Sequence, residues 1–107
     1  MTSKMKMVGT SNAHGIKTES WTVNKTAVIV SRDNLSLETG RKCDGEVLHI
    51  SFSHMTGDPP RQDIEYALTY FGFDLNRHHY AFMKPSFSLY RQTFINIYHY
   101  EQIQPAN

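Results

Sequence analysis

Six histidines carry the side chain best suited to chemistry, because imidazole serves both as an acid–base catalyst and as a metal ligand. They are His14, His49, His54, His78, His79 and His99. None of their spacings matches a metal template such as HExxH, and a single cysteine excludes a CxxC pair. The sequence therefore predicts no metal site and no cofactor.

The run HIS at 49–51 resembles one half of the H-x-[ST] pattern of the two-histidine phosphoesterases, in which two strands present paired histidines to a phosphodiester. After the predicted helix no second such pattern follows, because neither His79 nor His99 has Ser or Thr two positions later. A small phosphoesterase or hydrolase that uses His49 with a spatially adjacent His79 or His99 is therefore an alternative function. Imidazoles more than ~10 Å apart would exclude it.

Aromatic residues are concentrated in the second half of the chain, where eleven of the thirteen lie between Tyr66 and Tyr100. Phenylalanines can fill a helix–sheet interface while tyrosines stay at its edge. Tyr and Arg are also enriched where proteins bury surface against partners. We therefore expect a partner-binding surface formed by Tyr66, Tyr70, Tyr90, Arg91, Tyr98 and Tyr100.

Alternation along the final predicted strand separates its tyrosines from its isoleucines. Tyr98 and Tyr100 share one face, and Ile95, Ile97 and His99 share the other. If the isoleucines face the helix, the tyrosine face is free for a protein partner or for a second copy of the chain. A protein partner is the leading interpretation, and self-association stays open.

Charge and composition restrict the other function classes. The chain has 107 residues with a formal net charge of +1, and residues 46–107 carry six acidic side chains against four basic ones. This weakens a third hypothesis, single-stranded nucleic-acid binding on an aromatic sheet face, which also lacks an RNP-like signature. One cysteine, no apolar leader and no run of ~20 apolar residues predict a cytoplasmic protein with no membrane role.

The elements that position these residues follow from hydrophobic periodicity. Strict alternation in EVLHISFS gives the clearest strand, and DPPRQDIEYALTYFG gives the clearest helix, with Asp58 as a possible cap and Gly72 at C′. Asp44-Gly45 is typical of a tight hairpin turn, and Pro85 of a connection. The expected elements are a flexible arm over 1–16, strands near 20–23, 26–31, 46–53, 79–83 and 93–100, and a helix over about 60–71.

These elements predict one α+β domain over 17–107, with an antiparallel sheet of about five strands in the order β-β-β-α-β-β and the helix packed on one face. The run from His49 to Tyr100 resembles a group of small uncharacterised phage and prophage proteins, in which a histidine-bearing strand precedes a Pro-initiated helix. That resemblance implies no catalytic residues. It favours, as the leading hypothesis, a non-enzymatic accessory protein that binds a host macromolecule.

Overall fold

The computed structural model describes residues 5–76, 80–88 and 93–104. Within these ranges the chain forms β1 (Met5–Ala13), β2 (Ile16–Val23), β3 (Thr26–Ser36), β4 (Arg41–His54), α1 (Arg61–Tyr70), β5 (Tyr80–Ser88) and β6 (Thr93–Ile103). All of these strands belong to one antiparallel sheet in the order β1-β2-β3-β4-β6-β5. The α+β class is confirmed, with one strand more than the sequence predicts.

The additional strand is β1, which lies in the segment expected to be a flexible arm. It pairs with β2 from Met5 to Ala13 and joins it through a two-residue turn in which His14 and Gly15 both have positive φ. Only Met5 of this strand is buried. Backbone pairing rather than an apolar face therefore holds β1, and this explains why its polar composition gives no strand signal.

The hairpin of β3 and β4 has the predicted pairing but a different turn. The two strands pair from Thr26 opposite His54 to Asp33 opposite Val47, where the register shifts. The chain reverses at residues 37–40, and Gly40 has a φ of 70°. The predicted turn at Asp44-Gly45 is wrong, because the register shift places these two residues inside β4, in its irregular part.

Helix α1 begins one residue later and ends one residue earlier than the predicted range of 60–71. Its N-cap is Pro60, which offers no side-chain hydrogen bond. The expected cap, Asp58, instead accepts hydrogen bonds from the side-chain amide of Asn96 at 2.6 Å and from the Tyr98 hydroxyl at 3.2 Å. Asp58 therefore connects the loop before the helix to β6.

The C-terminus of α1 ends as the sequence predicts, with Gly72 in the left-handed region at φ 87°. The Phe73 amide donates to the Leu68 carbonyl at 2.8 Å, and the Gly72 amide donates to the Thr69 carbonyl, which is the Schellman arrangement. This ending turns the buried Phe73 ring toward the core.

The hydrophobic core lies between α1 and one face of the sheet. Its buried members are Met5, Val23, Val28, Val30, Leu48, Ile50, Phe52, Ile64, Ala67, Leu68 and Phe73. Asp63 of the helix is also buried, and accepts hydrogen bonds from the Asn24 amide and the Thr26 hydroxyl, each at 2.7 Å. Helix and sheet are therefore joined by a polar anchor as well as by apolar packing.

At the other edge of the sheet, β5 continues through Pro85, where the sequence predicts a connection. Among the described strands β5 pairs only with β6. A proline lacks the amide that an inner strand needs, but an edge strand leaves alternate amides outside the ladder. The edge position therefore explains why β5 tolerates Pro85.

Candidate functional site

The face of the sheet opposite the helix carries the histidines. Alternation in β4 turns Leu48, Ile50 and Phe52 into the core, as predicted, and it leaves His49 and Ser51 on the opposite face. Because β4 and β6 are neighbours, this face continues onto β6. Two successive rungs result, with Ser51 opposite His99 and His49 opposite Glu101.

Four of these side chains form one continuous chain of hydrogen bonds, which we call the histidine relay: Asp33, His49, His99 and Ser51. Asp33 Oδ1 lies 2.9 Å from His49 Nε2, and His49 Nδ1 lies 3.1 Å from His99 Nε2. His99 Nδ1 lies 2.9 Å from Ser51 Oγ. The relay therefore joins three strands and ends in a hydroxyl.

Neutral imidazoles fix the direction of every hydrogen bond in the relay. An ionised Asp33 only accepts, so His49 donates through Nε2–H and presents Nδ1 as an acceptor. His99 then donates through Nε2–H to His49, and its own Nδ1 accepts from the Ser51 hydroxyl. Each donor has an acceptor, and the free lone pair of His99 faces Ser51.

Burial favours the neutral form of His99. His49 and His99 are 6% and 8% exposed, and the Phe82 ring lies 5.1 Å from the His99 ring between centroids. Burial lowers the pKa of His99, and His49 lowers it further, although Glu101 and Asp33 act in the opposite direction. His99 is therefore a neutral base near pH 7, when Ser51 is still a hydroxyl.

Glu101 lies beside the relay and is only 2% exposed. Its Oε2 accepts from the Ser36 hydroxyl at 2.6 Å, and its Oε1 accepts from the Leu37 amide at 2.8 Å. The same Oε1 lies 4.0 Å from His49 Nδ1. The start of the β3–β4 turn thus holds a carboxylate against the paired histidines.

Of the three histidines predicted to act together, the structure brings His49 and His99 within hydrogen-bond distance. Their separation is far below the limit of ~10 Å that would exclude shared chemistry. His79 lies outside the described residues. Sequence reasoning missed Asp33 and Glu101, and only the pairing of β3, β4 and β6, which no single segment reveals, could have indicated them.

The predicted tyrosine surface is divided. Tyr98 and Tyr100 of β6 lie opposite Phe52 and Ile50, so they face the helix, and the condition under which the tyrosine face would be free is not met. The pairing register of β4 and β6 decides this. It places His99 opposite Ser51 on the face away from the helix, so that Tyr98 and Tyr100 lie on the helix side of the sheet.

The other predicted contact residues lie elsewhere. Tyr70 packs edge-to-face on Trp21 with 5.6 Å between ring centroids, and it remains 53% exposed; Tyr66 is 36% exposed. Tyr90 and Arg91 lie outside the described residues. Tyr70 therefore lies over β2, whereas Tyr98 and Tyr100 lie on β6, which β3 and β4 separate from β2 in the sheet.

A cavity of about 490 Å³ lies between α1 and β6, lined by residues that include Ile64, Leu68, Leu75, Tyr98 and Tyr100. Burial raises the pKa of the Tyr100 hydroxyl at its edge. The cavity is on the helix side of the sheet, so it has no access to the histidine relay on the opposite face. It is therefore separate from the histidines and is not their substrate pocket.

Comparisons of the chain with protein-family models, with curated proteins and with solved structures find no match. The resemblance to small phage proteins stays a prediction. Within the described part of the chain, no helix combines the length and apolar character that crossing a membrane requires. The geometry of the histidine relay is therefore the basis for inferring its function.

Proposed function

We propose that this domain is a small histidine-dependent hydrolase in which Ser51 is the nucleophile and His99 the general base. The observation that supports the proposal is the unbroken relay, because a hydroxyl hydrogen-bonded to a buried neutral imidazole is the arrangement that activates serine. The substrate class is a carboxylic or phosphoric ester.

The first step transfers one proton inside the site. As Ser51 Oγ bonds to the ester carbon or phosphorus, its proton moves to His99 Nδ1. The leaving alcohol takes this proton back when its bond to the same centre breaks. Water then attacks the acyl or phosphoryl serine, with His99 again acting as the base, and Ser51 is regenerated.

His49 and Asp33 act as positioning residues. The imidazolium formed on His99 keeps its Nε2–H directed at the His49 Nδ1 lone pair, 3.1 Å away. Asp33 holds His49 in the tautomer that leaves this lone pair free. Its negative charge also stabilises the positive charge that forms on His99. A carboxylate thus stabilises the charge through two rings instead of one.

The surroundings of Ser51 favour an apolar acyl group. Its cross-strand neighbour on β3 is Ile29, which is exposed on the same face. Ile97, two residues before His99, also lies on this face of β6. We therefore expect a butyryl ester to react faster than an acetyl ester.

The test compares hydrolysis of p-nitrophenyl acetate, p-nitrophenyl butyrate and bis(p-nitrophenyl) phosphate by chelator-treated protein. The Ser51→Ala and His99→Gln variants should each lose at least ~100-fold in rate, the scale of general base catalysis. Ser53→Ala is the matched control, because Ser53 lies on the same strand and face but outside the relay. Equal rates for wild type and Ser51→Ala would refute the proposal.

A second candidate function is contact with a protein partner, as the aromatic composition predicts. The exposure of Tyr66 and Tyr70 on α1 is the observation that favours it. Tyr66→Ala combined with Tyr70→Ala should abolish capture of a partner from host lysate, whereas Thr69→Ala should not. Retention of every captured partner by the tyrosine variant would contradict this function.

A further inference from the structure

Three side chains at the histidine relay each offer one ligand atom: a ring nitrogen of His49, a ring nitrogen of His99 and a carboxylate oxygen of Glu101. All three lie within 4.8 Å of one another. We propose that this donor cluster, formed by His49, His99 and Glu101, binds one divalent transition-metal ion of the zinc class. The inference goes beyond the hydrolytic function, because it uses the ring nitrogens that face each other rather than the one that faces Ser51.

The donor types select the class of ion. Two imidazoles and one carboxylate suit Zn²⁺ and its neighbours, whereas Mg²⁺ and Ca²⁺ prefer oxygen ligands alone. Ligands about 2.0–2.1 Å from a tetrahedral Zn²⁺ lie about 3.4 Å apart. The distances of 3.1 Å between the histidines and 4.0 Å from His49 to Glu101 lie on either side of that value. The third separation, from His99 to Glu101, is at most 4.8 Å, so side-chain movements of about an ångström bring all three atoms to the spacing of a tetrahedral site.

The outer shell of the donor cluster is complete, and this is the observation that separates it from a chance grouping. The nitrogen of His49 that faces away from the cluster donates to Asp33 at 2.9 Å, a carboxylate–histidine pairing that commonly supports metal ligands. The corresponding nitrogen of His99 has Ser51 as its partner at 2.9 Å. Both rings are therefore fixed with their remaining nitrogen directed at the cluster.

Glu101 is fixed in the same way. The Ser36 hydroxyl and the Leu37 amide each donate to one of its carboxylate oxygens. A carboxylate oxygen has two lone pairs, so Oε1 can keep the Leu37 amide and still coordinate an ion. The carboxylate therefore needs no new orientation to act as a ligand.

Charge and burial point to the same occupant. The three ligands are at most 8% exposed, and a buried carboxylate is costly unless a cation or hydrogen bonds compensate for its charge. A divalent ion with Glu101 as ligand and Asp33 behind His49 would give a site of zero net charge. Three protein ligands leave one tetrahedral position for water or a small anion.

Metal binding would remove the base that activates Ser51. With the ion on His99 Nε2, the ring keeps its proton on Nδ1, and this nitrogen then donates to Ser51 Oγ. His99 no longer offers a lone pair to the hydroxyl. The metal-bound form should therefore have no serine nucleophile, and zinc should inhibit any hydrolysis that depends on Ser51.

The experiment titrates Zn²⁺ into the full chain after EDTA treatment, using calorimetry and a competing chromophoric chelator. We expect one ion per chain. Affinity should fall at least ~100-fold in His49→Gln and Glu101→Gln and about 10–100-fold in Asp33→Asn, which removes only outer-shell charge. His54→Gln is the matched control, since His54 is on the same strand but bonds to Thr56, and it should bind as wild type does.

A measurement on the wild-type protein keeps the inference testable if a variant fails to fold. Long-range proton–nitrogen NMR of the imidazoles should show Zn²⁺ or Cd²⁺ on Nδ1 of His49 and on Nε2 of His99. Absence of binding, or an ion held by other histidines, would overturn the proposal. Zinc binding without any esterase activity in the chelated protein would refute only the hydrolytic function, and esterase activity without zinc binding only the metal site.

Discussion

His49 Nδ1 and His99 Nε2 lie 3.1 Å apart across the neighbouring strands β4 and β6, in a pair that is almost completely buried. A carboxylate stands at one end of this pair and a hydroxyl at the other. Because both rings are held from outside, their inner nitrogens face each other. The same arrangement can pass a proton or hold an ion.

Acid should destabilise the fold through His99. Its folded-state pKa is lowered by burial and by His49, whereas the unfolded value is about 6.5. The unfolded chain therefore binds more protons at this position, and stability is lost as the pH falls through about 6.5 toward the lower folded pKa. Urea unfolding between about pH 5 and pH 8 with chelator present should show this loss.

The matched variants for the pH experiment are His99→Gln and His54→Gln. Removal of His99 should flatten the dependence of the free energy of unfolding on pH, and removal of His54 should not. The same slope in both variants would contradict the assignment to His99.

Asp63 should contribute more to stability than an exposed acidic residue of the same helix. Asp63→Ala removes the acceptor of the buried Thr26 hydroxyl and of one Asn24 hydrogen bond, so we expect a loss of about 2–3 kcal/mol. Glu65→Ala, on the same helix with a half-exposed carboxylate 3.4 Å from Arg61, should cost less than about 1 kcal/mol. Equal losses in urea unfolding would exclude the polar anchor.

Substitution of Gly72 should destabilise the fold because of the backbone conformation at this position alone. A Cβ atom at Gly72 or at Gly9 would meet nothing within 4 Å, but only Gly72 has a positive φ, at 87°. Gly72→Ala should therefore lower the free energy of unfolding by about 1–2 kcal/mol, the cost of left-handed backbone for a residue with a side chain. Gly9→Ala should cost less. The opposite order in thermal unfolding would contradict the Schellman ending of α1.

Glu101 should hold the β3–β4 turn through its two oxygens. Glu101→Ala removes both acceptors, so the Ser36 hydroxyl and the Leu37 amide each lose their partner. Hydrogen exchange at the Leu37 amide should become faster. Glu46→Ala, which removes an exposed carboxylate of β4, is the control. Unchanged protection of Leu37 in the Glu101 variant would mean that this carboxylate does not fix the turn.

Periodicity predicts the central part of the fold because burial dictates it. The alternation of Leu48, Ile50 and Phe52 and the apolar stripe of α1 each follow from a single buried face. Strand β1 has no such face, and backbone hydrogen bonds hold it instead. The register shift after Asp33 likewise depends on pairing between strands, so the turn could not be located from Asp44-Gly45.

The candidate site is predictable only in part for the same reason. His49 and Ser51 are two residues apart on a clear strand, and the sequence indicates them as half of a motif. Their partner His99 comes from β6, which lies beside β4 although α1 and β5 intervene along the chain. His99 therefore joins the site through the neighbouring strand rather than through a second H-x-[ST] pattern.

The residue that reacts with a serine-directed electrophile shows directly whether His99 activates Ser51. Chelator-treated protein would be incubated with a fluorophosphonate, digested and sequenced by mass spectrometry. The relay predicts a single phosphonyl adduct on Ser51, lost in His99→Gln, suppressed by Zn²⁺ and retained in Ser53→Ala. Absence of an adduct on Ser51, or equal labelling of Ser51 in wild type and His99→Gln, would contradict the claim that His99 activates this hydroxyl.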